Sequence, residues 1–128
     1  MPKKSKLWKP APSQEDLRAA SHYLSLLDTA ANVKRLVAQL ARSRTNEAVA
    51  KDLLRASNLP LLPRDESHVK DDLKRINKGK PLPPVLLVRG DSSRSVPLVI
   101  ADGYHRICAV YYFDEDASVA FRIAASGG

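Results

Sequence analysis

The sequence predicts an α+β fold: a helical N-terminal segment ahead of a small sheet-containing domain. Three observations carry that reading. Apolar residues recur at three- and four-residue spacing from about residue 14 to residue 57, the pattern of amphipathic helices. Beyond Pro60 the pattern changes to short valine- and leucine-rich runs, separated by further helical stretches and by polar turns. The chain has 128 residues and is 44% hydrophobic, enough for one core although only 5% of it is aromatic.

Residues 1–12 hold three prolines and four lysines without periodicity, and read as a flexible or loosely docked basic arm. Ser13 is suited to cap a helix whose first turn carries Glu15 and Asp16. Leu17, Ala20, Tyr23, Leu24 and Leu27 then mark one helical face over residues 14–27. A second helix is expected over residues 30–42, burying Val33, Leu36, Val37 and Leu40. A third is expected from near Thr45 to Ser57, burying Val49, Leu53 and Leu54 before Asn58-Leu59-Pro60 stops it.

Leu59–Leu62, with prolines at Pro60 and Pro63, predicts a short edge strand. A helix follows over residues 67–77 with Val69, Leu73 and Ile76 on its buried stripe, closed by Gly79. Val85–Val88 and Pro97–Ala101 predict two strands of a hairpin joined by a polar turn. A helix over residues 105–113, an acidic turn at Asp114-Glu115-Asp116 and a last strand from Ser118 to Ala124 complete the chain. The organisation expected is an arm (1–12), a helical segment (13–58) and a second domain (59–128).

Composition narrows the function. No apolar stretch approaches the roughly 20 residues that span a bilayer. The basic start runs into Trp8-Lys9-Pro10 instead of an apolar segment, so a secretory signal is not expected and the chain reads as cytoplasmic. One cysteine, Cys108, rules out an internal disulfide and a multi-cysteine metal site. Residues 1–58 carry 11 Lys and Arg against 5 Asp and Glu, while residues 59–128 carry 10 against 9. The basic surplus therefore lies in the N-terminal part. It suits either a polyanion such as DNA, with Trp8 stacking on a base, or an ordinary solvated surface with Trp8 docked on the body.

The segment Asp102-Gly103-Tyr104-His105-Arg106 carries the strongest chemical signal. It lies between an expected strand and an expected helix. A glycine there permits a positive φ and close approach of a ligand. The helix start presents N–H groups and the positive end of its dipole, and His105 and Arg106 add donors. The combination describes a cradle for an anion, best a phosphate. Asp102 can hold Mg²⁺ or accept a proton, or it can cap the turn. Tyr104 can contact substrate or cover the turn. The acidic turn at 114–116 is a metal candidate or a solvated turn, and His22 and Cys108 read as packing residues.

Residues 59–124 resemble the ParB/sulfiredoxin superfamily, which includes the ParB-like nuclease domains. The residues that carry the resemblance are Leu59-Pro60-Leu61-Leu62, Pro84-Val85-Leu86-Leu87-Val88 and Asp102-Gly103-Tyr104-His105-Arg106. The resemblance implies a small mixed sheet and a nucleotide held by its phosphates at the glycine turn. Gly103, His105 and Arg106 match the turn that grips phosphate, and His68 and Arg75 lie on the helix that faces the nucleotide. Glu66 or Asp65 would supply a general base beside Asp102, as in serine-kinase relatives. The implied ligands are ATP, ADP or CTP with Mg²⁺, and the implied activities are phosphoryl transfer or NTP hydrolysis. Tyr104 stands at the nucleophilic cysteine of sulfiredoxins. A phenol with a pKa of about 10 cannot replace that thiolate, so sulfiredoxin activity is not expected. The Gly-Glu-Arg-Arg turn and the DNA-reading helices of ParB clamps are missing. A DNA-binding or nuclease role through the basic N-terminal part and a non-catalytic interaction module stand as alternatives.

Overall fold

The computed structural model describes residues 7–125. Its elements are α1 (Gln14–Leu24), α2 (Ala30–Arg42), β1 (Asn46–Val49), α3 (Ala50–Ser57), α4 (Ser67–Asn77), β2 (Val85–Val88), β3 (Val99–Asp102), α5 (Tyr104–Phe113) and β4 (Ser118–Ala124). The strands form one mixed sheet in the order β1-β4-β2-β3. β4 runs antiparallel to β1 and parallel to β2, and β2 and β3 form the expected antiparallel pair. The fold is α+β, and no helix among the described residues is long and apolar enough to cross a membrane.

Strand β2 shows how the layers arise. Val85, Leu86, Leu87 and Val88 are all buried. Successive strand side chains point to opposite faces, so a strand covered on both sides reads as a continuous apolar run. Val85 and Leu87 pack with Leu53 of α3, Val69, Leu73 and Ile76 of α4, and Ile107 and Val110 of α5. Leu86 and Val88 pack with Leu17, Ala20 and Leu24 of α1 and Val33, Leu36 and Leu40 of α2. Helices therefore cover both faces. α1 and α2 are too short to persist alone in water, and their apolar stripes need the sheet. Ser13 and Thr29 cap them, accepting from the N–H groups of Asp16 and Asn32.

The structure corrects several expectations. Asn46–Val49 is not the start of the third helix but strand β1, with Asn46 opposite Phe121 and Val49 opposite Ser118. The open edge of β4 offers these residues backbone partners, and tertiary pairing outweighs local helix periodicity. The helical segment thus donates a strand to the same sheet as residues 85–124. Leu59–Leu62 is not an edge strand. Asn58 leaves α3 in the left-handed region at φ 59°. The carbonyls of Pro60 and Leu62 are then taken by the hydroxyls of Tyr104 and Tyr112, not by a neighbouring strand. Two prolines without N–H groups make strand pairing poor there.

α1 ends at Leu24, which leaves Leu27 beyond it and exposed; within α1, Tyr23 and His22 lie on the exposed side rather than on the face of Leu17, Ala20 and Leu24 that is buried. β3 begins at Val99, two residues later than expected. Residues 7–10 are docked, not loose. Leu7 is buried, the backbones of Leu7 and Lys9 bond Leu82, and the Trp8 indole N–H donates to the Ser118 carbonyl at 2.9 Å. That indole is engaged with the body, which removes it as a free platform for a base. Lys3, Lys4 and Lys6 lie outside the described residues.

Candidate functional site

The strand, glycine turn and helix start read from the sequence lie where α4, α5 and the end of β3 meet. Asp102 ends β3, Gly103 turns the chain at φ 106°, and Tyr104 opens α5. The glycine serves packing first. A Cβ at Gly103 would lie 2.4 Å from Cγ1 of Val85 and 2.9 Å from Nη2 of Arg106. Close approach at this turn is thus an approach of core and guanidinium to the backbone. Gly103 stands at the N-cap of α5 and has no side chain with which to accept from the first N–H groups of the helix.

Beside it is an open groove of about 360 Å³, lined by Asp16, His68, Asp71, Asp72, Arg75, Pro83, Asp102, Gly103, His105 and Arg106. The structure therefore gathers His68 and Arg75 of α4, Asp102 at the end of β3, Gly103 in the turn, and His105 and Arg106 of α5 around one opening. Arg106 takes a different part from the one its type suggests. It is only 8% exposed. Nη1 donates to Asp16 Oδ2 and to the Pro83 carbonyl, both at 3.0 Å, and Nη2 donates to Asp102 Oδ2 at 2.6 Å. The guanidinium thus ties α1, the loop leading into β2, the end of β3 and α5 together. Its fork is largely spent on the protein.

Asp102, expected as metal ligand or base, faces that guanidinium. Burial pushes its carboxyl up to about 6, against the pull of Arg106, and the neighbouring Asp16 carboxylate adds to the rise. Burial likewise raises the Asp72 carboxyl, opposed by Arg106 and Arg75. Among the described residues, no cluster with metal-ligand spacing includes Asp102.

Glu66 is the N-cap of α4. Its Oε1 accepts from the His68 N–H at 2.6 Å and the Val69 N–H at 3.1 Å. Its Oε2 faces His68 Nδ1 at 3.2 Å and His105 Nε2 at 3.8 Å. Burial works against its charge, but the Val69 and His68 hydrogen bonds and the His105 imidazole together hold the carboxyl below its ordinary value. Asp65, the neighbouring carboxylate, is exposed and lines a different hollow with Lys70 and Lys74.

Tyr104 reaches the Pro60 carbonyl with its hydroxyl, and its ring lies 5.9 Å from that of His105. It covers the turn and pins the 59–62 segment. Cys108 is buried and burial pushes its thiol up, which leaves it unreactive.

Sequence reasoning missed Asp16, Asp72 and Pro83 as parts of the site. The Asp102–Arg106 pair has a local signal, an acid and a base four residues apart. Asp16 has none, because it lies 90 residues from Arg106 in the chain. No protein-family model, curated protein or solved structure matches the chain.

Proposed function

We propose that the groove between α4 and α5 binds the phosphates of a nucleotide, ATP, ADP or CTP, together with a divalent cation such as Mg²⁺. The observation that carries this reading is the uncapped N-terminus of α5 opening into a groove that also receives His68, Arg75 and His105. The resemblance of residues 59–124 to ParB/sulfiredoxin-like domains points the same way. Arg106 acts here as a positioning residue that holds Asp102 and the turn. Arg75, His68, His105 and the helix N–H groups face the ligand. Four carboxylates line the same groove, Asp16, Asp71, Asp72 and Asp102, so a bare triphosphate meets repulsion that a cation relieves. Asp102, with its carboxyl raised to about 6, is suited to accept a proton near neutral pH if the bound phosphate is transferred or hydrolysed.

Calorimetric titration with ATP, ADP, CTP and GTP, with and without Mg²⁺, tests the proposal on wild type and Arg75→Ala. Arg75 is exposed, so its loss leaves the fold intact. One nucleotide is expected to bind saturably and at least tenfold more weakly to the variant. Flat titrations with every nucleotide sink the reading.

A second reading is a non-catalytic interaction module. Its support is the structural use of Arg106, together with exposed Tyr23, Leu26, Leu27, Leu59 and Leu61. It predicts no turnover with any nucleotide. DNA binding or nuclease action rests on the basic surplus alone, and predicts affinity that falls steeply with salt and drops on deleting residues 1–12.

A further inference from the structure

We propose that Glu66, His68 and His105 form a binding site for a divalent transition metal of the Zn²⁺, Co²⁺ or Ni²⁺ class at the rim of the groove. Their ligand atoms all lie within 4.8 Å of one another. Glu66 Oε2 stands 3.2 Å from His68 Nδ1 and 3.8 Å from His105 Nε2. Ligand atoms around a tetrahedral Zn²⁺ with bonds of about 2.0–2.1 Å are separated by roughly 3.3–3.4 Å. The two separations from Oε2 bracket that edge, and side-chain rotations of the two imidazoles, whose ligand atoms lie within 4.8 Å, would bring all three to it.

The scaffold fixes the three ligands from both sides. Glu66 and His68 sit at the start of α4, whose Val69, Leu73 and Ile76 are buried. His105 sits in the first turn of α5, between Gly103 and the buried Arg106 and Ile107. The two helices pack against each other in one core. The Glu66 carboxylate is oriented by its own helix: two backbone N–H groups hold Oε1 and leave Oε2 directed at both imidazoles. Such outer hydrogen bonds preset a metal ligand. The rings of His68 and His105 lie 4.6 Å apart at 37°. The 3.8 Å from His105 Nε2 to Oε2 is too long for a hydrogen bond, and a cation between them satisfies both atoms.

The donor set selects the metal. Two imidazole nitrogens and one carboxylate suit borderline transition ions, whereas Mg²⁺ and Ca²⁺ prefer all-oxygen shells. Three protein ligands leave a position open. His68 and His105 also line the groove, so that position faces it and takes water or an anionic oxygen. The site differs from a Mg²⁺ bound at Asp102 in place, ligands and metal, and it requires no nucleotide.

The test uses the full chain and the metal alone. Zn²⁺ calorimetry and Co²⁺ visible absorption are measured on wild type, Glu66→Gln, His68→Ala, His105→Ala and His22→Ala. Wild type is expected to bind one equivalent, with cobalt absorption of a low-coordinate nitrogen and oxygen site. Each change in the triad is expected to weaken binding at least tenfold, and His22→Ala, altering the remaining histidine on α1, to leave it unchanged. Glu66→Gln keeps an oxygen that can cap α4, so its loss of affinity is not a loss of folding. Absence of stoichiometric binding, or binding equally strong in His68→Ala and His105→Ala, overturns the proposal. Metal binding without nucleotide binding overturns the nucleotide reading and leaves this one standing. Nucleotide binding with Mg²⁺ but no transition-metal site does the reverse.

Discussion

His105 and Arg106 are adjacent in sequence and occupy opposite physical regimes. Arg106 is buried and donates to two carboxylates and a carbonyl. The His105 side chain is 41% exposed, and its nearest carboxylate is 3.8 Å away. The first cluster, Asp16–Arg106–Asp102, joins four parts of the fold. The second, Glu66–His68–His105, joins the starts of two helices and opens on a groove. Charges taken out of water must be paired and fully hydrogen-bonded, so the buried cluster has little freedom left for a ligand. Charges at an open rim are cheap to hold and available. A basic pair at a helix start therefore does not share one role. One member can complete the fold while the other faces solvent.

Arg106→Ala leaves two carboxylates facing each other without a cation and is expected to lower stability by about 3–5 kcal/mol, read from urea unfolding. A loss below about 1 kcal/mol would place the cluster among weak surface pairs. Gly103→Ala attacks the same region through the backbone. It must hold φ 106° and push its methyl group into Val85, and is expected to cost roughly 3 kcal/mol. Thermal melts check it, and an unchanged Tm would mean that the turn relaxes freely.

The buried cluster should also leave a mark on pH dependence. Folding raises the Asp102 carboxyl from an ordinary value of about 3.9 to about 6. Between those values the folded state holds a proton that the unfolded chain has released. Stability from this group is therefore lost as pH rises through the window. Asp102→Asn removes that slope, so the variant should gain on wild type between about pH 4 and about pH 7. Parallel melting curves for the two proteins across that range would exclude the shift.

The open cluster should respond far less. Glu66→Ala removes the α4 cap and is expected to lower the Tm, by less than either change in the buried cluster. His105→Ala is expected to change stability by no more than about 0.5 kcal/mol, because its exposed ring bears little of the fold. A larger loss on denaturant unfolding would assign His105 to the structural cluster and erase the contrast.

The strand, glycine turn and helix around residues 102–106 were legible because each has a local signature: an apolar run, a glycine, then a helical period. The same holds for α2, α4 and β4, whose observed bounds match their apolar patterns. β1 was not legible, since Asn46–Val49 carries no strand alternation of its own and takes its form from the edge of β4. Leu59–Leu62 failed in the other direction. Its composition suits a strand, but tyrosine hydroxyls from α5 satisfy its carbonyls. In the candidate site, His68, Arg75, Asp102, His105 and Glu66 were legible as chemical types, while their division into two clusters was not.

The α+β composition, most of the helix periods, the Ser13 cap and the glycine turn follow from the sequence alone, because these depend on residues within a few positions of each other. Only the tertiary structure decided that Asp16 would take one side of the Arg106 guanidinium, that β1 would join the sheet, and that Glu66 and His68 would meet His105. Those outcomes depend on which surfaces α1, α4 and α5 bury against the sheet. Burial is a property of the packed whole, and it turns a basic residue into a clamp or leaves it free to meet a ligand.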